Sequence, residues 1–302
     1  MNDSPELPAD AIAESGRYWD SQFAGASTEV LYWLAVPPVR AWVNRRMTGD
    51  PEKLFIQHYL ESFRDRWPLP RALSIGCGTG DLERGVAGLG AVDRIDGVDV
   101  GERNVETARR QATEQGLSGR VRYERTDTAS FLRAALARGD RYDLVFFHAV
   151  LHHLTDLEEV AELTGRILRR DVLGQAYIDE YMGPSRDEWT EEHLGYAKGL
   201  FALVPEEHRR TPHVWPPIAI EDPTEMIRSS EIEPVFSERL RIVRFVPYYG
   251  NVLNPLVSAI RGTSFGDPRV RHAIEEAMRL EEHLIAREIV RPLYAVAIAE
   301  PR

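Results

Sequence analysis

The chain of 302 residues holds one cysteine, Cys77, so an intrachain disulfide is excluded and the composition fits a reducing compartment. No run approaches the ~20 apolar residues that a membrane-spanning helix requires, so no membrane partner is expected. Met1 to Asp10 is acidic and lacks a basic stretch followed by an apolar one, so no secretory signal is expected and a cytoplasmic location follows. Positive charge is scarce: 37 Lys and Arg face 48 Asp and Glu, a net charge of −11. Phosphate-backbone affinity rests on clustered cations, so a nucleic-acid partner is not expected. There is no internal repeat or low-complexity tract. No H-E-x-x-H or paired-cysteine motif occurs, and no metal is expected. The 43% hydrophobic and 28% charged content is that of an ordinary globular chain. The length allows one substantial core, or one core and a smaller appended region.

Against those absences stands the stretch Arg71-Ala-Leu-Ser-Ile-Gly-Cys-Gly-Thr-Gly80. Ala72 to Ile75 reads as a short buried strand, Gly76, Gly78 and Gly80 as a tight turn, and Leu82 to Leu89 as a helix. A strand, a glycine-rich turn and a helix make a nucleotide-binding corner, where backbone without Cβ atoms can approach a ligand closely. From Arg71 onward strands and helices alternate. Strands are predicted near 72–75, 94–98, 121–124, 143–148 and 174–178, with helices near 82–89, 103–115, 128–138 and 156–169. Single helices between strands imply parallel pairing and a doubly wound α/β sheet. Ile242 to Val246 and Leu293 to Ala299 read as two further strands, making seven, with a helix over 270–289 between them.

Four regions are expected. Residues 1–66 form a helical N-terminal cap, rich in aromatics (Tyr18, Trp19, Phe23, Tyr32, Trp33) and broken into two helical parts at Pro37-Pro38. Residues 67–182 form the cofactor-binding core. Residues 183–240, with Trp189, His193, Tyr196, Phe201, His208, His213 and Trp215, form a lid or substrate insertion after the fifth strand. Residues 241–302 complete the core.

The second strand ends in Asp99, where a carboxylate accepts hydrogen bonds from ribose hydroxyls. Dinucleotides and S-adenosylmethionine both use that arrangement. The dinucleotide fingerprint wants G-x-G-x-x-G, whereas here the third glycine comes one residue early and Asp81 and Glu83 follow it. Carboxylates there would repel a pyrophosphate at a helix N-terminus, and matter less to a cationic sulfonium carrying an amino acid. The balance leans towards S-adenosylmethionine, with S-adenosylhomocysteine as product.

These residues resemble the class I S-adenosylmethionine-dependent methyltransferases, over roughly Leu73 to Glu180. The resemblance rests on Ile75-Gly-Cys-Gly-Thr-Gly80, Gly97-Val-Asp99, Thr126-Asp127, Tyr142-Asp-Leu-Val-Phe-Phe-His148 and Leu151-His-His153. It implies a Rossmann-like methyltransferase fold. It implies that Gly76, Cys77 and Gly78 pass under the methionine part, that Asp99 holds ribose, that Asp127 with Thr128 meets adenine, and that His148 lines the sulfonium. Asp179-Glu-Tyr-Met-Gly-Pro-Ser185 and Asn44-Arg-Arg-Met-Thr-Gly49 are similar to a bacterial subgroup associated with secondary-metabolite or surface-glycan pathways. The family commonly carries an acidic residue two before the first loop glycine. Ser74 stands there instead, so the ammonium of the cofactor takes its counter-charge from Asp81 or Glu83. Tyr18 and Trp19 either close over the cofactor or pack an N-terminal helix on the core.

Candidate catalytic residues are His148, His152, Glu180 and Tyr181. A histidine titrates near neutrality and suits a general base. Glu180 and Tyr181 end the fifth strand, at the carboxyl edge that faces the ligand crevice of such a sheet. His148 and His152 are four residues apart, which on a helix would put them on one face. The expected function is methyl transfer to a small organic acceptor, natural-product or sugar-like, preferentially at oxygen. Two other readings stay open: a repurposed member with another reaction or a regulatory role, and an NAD(P)-dependent oxidoreductase. A nucleic-acid methyltransferase is disfavoured because Phe147-His-Ala-Val150 stands where an Asn-Pro-Pro-aromatic tetrad would be. The oligomeric state is not encoded in any motif.

Overall fold

The computed structural model describes residues 32–219 and 221–302. Tyr18, Trp19 and Phe23 lie outside the described residues. Seven strands build one sheet: β1 (Leu69–Ile75), β2 (Val92–Asp99), β3 (Val121–Arg125), β4 (Leu144–His148), β5 (Gln175–Tyr181), β6 (Leu240–Tyr248) and β7 (Tyr294–Pro301). Their order is β3-β2-β1-β4-β5-β7-β6, with β7 antiparallel to both β5 and β6 and the other pairs parallel. The predicted doubly wound, mostly parallel sheet is present, and each expected strand lies within a few residues of its observed bounds. The chain winds outward from β1 to β3 and then returns to β4 beside β1. This reversal opens a crevice at the carboxyl ends of β1 and β4.

The helices are α1 (Pro37–Thr48), α2 (Phe55–Glu61), α3 (Asp81–Gly88), α4 (Glu102–Glu114), α5 (Thr128–Ala137), α6 (Leu157–Ile167), α7 (Glu191–Phe201), α8 (Ile232–Arg239), α9 (Leu253–Ser258) and α10 (Pro268–Ala286). Successive strand residues bury on opposite faces, as a period of two requires. Leu144 and Phe146 join one apolar layer while Val145 and Phe147 join the other. Phe146 meets Tyr177 and through it Tyr59 of α2, with ring centroids 6.0 and 5.1 Å apart. Phe147 meets Phe236 of α8 edge-on at 5.7 Å.

Two expectations need correction. Pro37 and Pro38 start α1 rather than merely interrupting a helix, because the first turn needs no N–H from them and their fixed φ suits it. The actual break follows at Gly49, whose φ of +82° ends α1 in the left-handed conformation. The insertion also ends earlier than 240. Ile232, Val235 and Phe236 of α8 are core residues, and Arg228 is tied to both Glu158 of α6 and Glu231. The second half of 183–240 is thus the crossover layer that leads into β6. The first half packs through α7, whose Leu194, Ala197 and Phe201 are buried with α9 and α10 residues.

Candidate active site

The turn after β1 folds as its glycines demand. Gly76, Gly78 and Gly80 all have positive φ, of +66°, +51° and +82°. A Cβ on Gly80 would lie 2.3 Å from the hydroxyl oxygen of Tyr123, which donates to the Gly80 carbonyl and clamps the turn against β3. A Cβ on Gly78 would meet nothing within 4 Å, so the turn is open on that side. Asp99, at the end of β2, accepts from Gly78 N at 2.9 Å and from Gly101 N at 2.8 Å. Its carboxylate therefore joins the glycine turn to the neighbouring strand end. Cys77 is buried, and burial, reinforced by Glu83 and Asp99, pushes its thiol above the ordinary range. An inert, structural cysteine results.

Of the two carboxylates after the turn, one is committed and one is not. Asp81 is 84% exposed and pairs with Arg84. Glu83 is fully buried, and neither carboxylate oxygen has a hydrogen-bond partner among the described residues. Burial raises its pKa to about 7, opposed by the nearby Ser74 hydroxyl. Keeping a carboxylate so deeply buried is costly, and Ser74, Arg84 and His148 are the neighbours that favour its charged form.

Asp127 caps α5, accepting from Ser130 N at 2.9 Å, and Thr128 begins that helix. Both stand at the end of β3, next to the end of β2. His148 ends β4, and about half of its side chain is open. Its Nδ1 lies 3.4 Å from Asp179 Oδ2. Asp179 in turn accepts from Tyr248 at 2.7 Å and from Tyr177 at 3.3 Å. Desolvation pulls the His148 pKa down, but the Asp179 contact outweighs it and holds the imidazole above its ordinary value. One ring nitrogen thus faces a carboxylate, which leaves Nε2 as the other face of the ring.

His148 and His152 do not share a helix face. His148 closes a strand, and His152 lies in a short turn over Leu151–His153. Glu180 is buried, and its carboxylate is used up. Oε1 accepts from Val150 N and Leu151 N, and Oε2 contacts His152 Nδ1 at 2.7 Å. Glu180 therefore fixes the turn that carries His152. Burial works to lower the His152 pKa, but Glu180 dominates and lifts it to about 9. Tyr181 is buried, donates to the Pro184 carbonyl at 2.9 Å, and is pushed well above the ordinary tyrosine range by burial. That hydroxyl shapes the chain's exit from β5.

Three residues escaped the reading of the sequence: Asp222, Thr224 and Glu225. They sit against the double histidine, with Glu225 3.9 to 4.0 Å from His153 Nε2 and His152 Nε2. The signal available was the run Asp222-Pro-Thr-Glu225 in the irregular segment, which has no distinctive local pattern.

Residues 72–171 match a family model described as a methyltransferase domain. That span is a methyltransferase domain by this match. Among curated relatives, the ubiquinone biosynthesis O-methyltransferase of Methylocella silvestris is 30% identical over 162 residues, covering 53% of this chain and 57% of the relative. That of Cereibacter sphaeroides is 41% identical over 93 residues, covering 30% and 34%. The chain thus spans about a third to just over half the length of these relatives. Among solved structures, geranyl diphosphate C-methyltransferase of Streptomyces coelicolor superposes with a TM-score of 0.56 at 15% identity, covering 98% of this chain and all of that one. The (4+2)-cyclase SpnF gives 0.54 at 15% identity, covering 97% of each chain. These structural likenesses place the methyltransferase domain in its fold class. Its matched span holds the glycine turn, Asp99, Asp127 and His148, but not Asp179 and Glu180 or the acidic residues at 222 and 225.

Proposed function

We propose that the chain transfers a methyl group from S-adenosylmethionine to an oxygen of a small organic acceptor, of natural-product or sugar-like kind. The observation that carries this reading is the pairing of an open glycine turn, locked to Asp99, with the buried carboxylate of Glu83. Together they fit a ligand with ribose hydroxyls at one end and an ammonium at the other. The names of the curated O-methyltransferase relatives favour oxygen.

When bound, the cofactor supplies an electrophilic methyl group on a sulfonium. Glu83 supplies the counter-charge for the ammonium, replacing the acidic residue that Ser74 displaces from β1. Asp99 accepts from the ribose hydroxyls, and Asp127 with Thr128 lies at the adenine side. His148 takes the proton of an acceptor hydroxyl at Nε2, while Asp179, held by Tyr248 and Tyr177, fixes the ring and steadies the charge it gains. Placement of nucleophile and electrophile in line contributes most of the remaining acceleration. Acceptor contacts come from the segment after β5, where Phe201, His213, Trp215 and Lys198 line an open cavity of about 360 Å³. A panel of hydroxylated acceptors incubated with methyl-labelled cofactor tests the proposal. The expected result is a labelled ether product. Binding of S-adenosylhomocysteine with no labelled product across the panel refutes methyl transfer.

A further inference from the structure

The turn after β4, the end of β5 and the irregular segment before α8 bring two histidines and three carboxylates into one partly shielded cluster. We infer that His152, His153 and Glu225 ligate a first-row transition-metal dication of the zinc or iron(II) kind. One ligand atom from each lies within 4.8 Å of the others. His152 Nε2 is 4.0 Å from Glu225 Oε1, and His153 Nε2 is 3.9 Å from Glu225 Oε2. Ligands around such an ion at ~2.0–2.1 Å stand roughly 3.3 Å apart, so side-chain movements of about an ångström close the cluster.

The outer contacts make this more than a chance grouping. A metal-ligating imidazole characteristically gives its other nitrogen to a carboxylate or an acceptor that fixes its tautomer. Here His152 Nδ1 is held by Glu180 at 2.7 Å, which turns Nε2 toward Glu225. The Thr224 hydroxyl donates to Asp222 Oδ1 at 2.7 Å, so it meets His153 Nδ1, 3.1 Å away, as an acceptor, and His153 Nε2 also points at Glu225. Both rings thus present the nitrogen that would bind metal to the same carboxylate, from opposite tethers. Glu180 is likewise fixed by two backbone N–H groups, so the frame is rigid before any ion enters.

Two nitrogen donors and one carboxylate suit zinc or iron(II) and disfavour magnesium and calcium. Three protein ligands leave positions open to an oxygen ligand. The side chains of His152, Glu225 and His153 keep 10%, 10% and 12% of their surface, so the cluster is shielded but not sealed.

The test uses the whole chain, stripped by a chelator that is then removed, with no methyl donor present, so it is independent of the proposed methyl transfer. Titration with Co²⁺ should produce visible d–d absorption that saturates at one equivalent and is bleached by one equivalent of Zn²⁺. Glu225→Gln and His153→Gln should lose the signal. Thr224→Val should weaken affinity about 10- to 100-fold by releasing the His153 ring. His272→Ala, an exposed histidine on α10, should leave it unchanged. Circular dichroism melts separate loss of binding from loss of fold, and the near-isosteric Glu225→Gln decides if His153→Gln unfolds. Metal analysis of the protein as isolated distinguishes zinc from iron. Failure of the folded protein to take up stoichiometric cobalt overturns the inference, as does uptake that survives both Glu225→Gln and His153→Gln.

Discussion

Replacing Glu83 by glutamine should make the ligand-free protein more stable and its cofactor site weaker. Glu83 is fully buried, and burial raises its pKa to about 7. In the unfolded chain the same carboxyl titrates near 4.5. A folded value above the unfolded one means that the group's favourable contribution is complete below about 4.5 and is lost as pH rises through about 7. At about 1.4 kcal/mol per unit, the ionised carboxylate costs the fold about 3 kcal/mol at pH 8 and under about 1 kcal/mol at pH 5. Glutamine keeps the shape and never ionises. The variant should therefore melt about 5 °C higher than the parent at pH 8, with most of that advantage gone at pH 5. The same change removes the counter-charge for an ammonium, so calorimetry with S-adenosylhomocysteine at pH 8 should show affinity reduced about 10- to 100-fold. The parent's affinity should also fall as pH drops below about 7, where Glu83 protonates, while the variant's should not follow that titration. Equal melting temperatures at pH 8, or undiminished affinity in the variant, would refute the assignment of Glu83 as a strained carboxylate awaiting a cation.

Three further outcomes are expected. Asp99→Ala strips the acceptor from Gly78 N and Gly101 N, which should cost about 1–3 kcal/mol of stability and abolish S-adenosylhomocysteine uptake by calorimetry; intact uptake would count against the ribose role. His148→Gln should slow methyl transfer about 10²- to 10⁴-fold with little change in cofactor affinity, and the parent's rate should climb with pH through a value above the ordinary histidine range, because the ring must be neutral to accept a proton. A parallel loss of binding, or a flat pH profile, would exclude His148 as the base. Phe236→Ala should destabilise by about 3–5 kcal/mol in denaturant melts, since its ring is buried against Phe147; a loss under about 1 kcal/mol would return α8 to a peripheral insertion.

Much of the fold was legible in the chain because its determinants are local. Apolar runs of four to six residues, helices between them and glycines at a turn with positive φ encode strand, crossover and cradle without reference to distant residues. Asp99 could be placed at a strand end for the same reason: the end of the second strand has one place to be in a doubly wound sheet. Legibility ended where residues far apart in sequence converge. Glu83 and Asp81 are equivalent on paper, and only the packing of α3 on the sheet buried one and left the other in solvent. Glu180 looked free at a strand end, yet the turn after β4 folds over it and consumes its lone pairs. The role of α8 as a core layer depends on Phe236 reaching Phe147, and Thr224 meets His153 across 71 residues of chain. Sequence periodicity therefore determined the elements and the cofactor corner. The tertiary structure alone decided which carboxylates are exposed, spent or deeply buried, because burial and charge pairing are properties of what surrounds a residue and not of its neighbours in the chain.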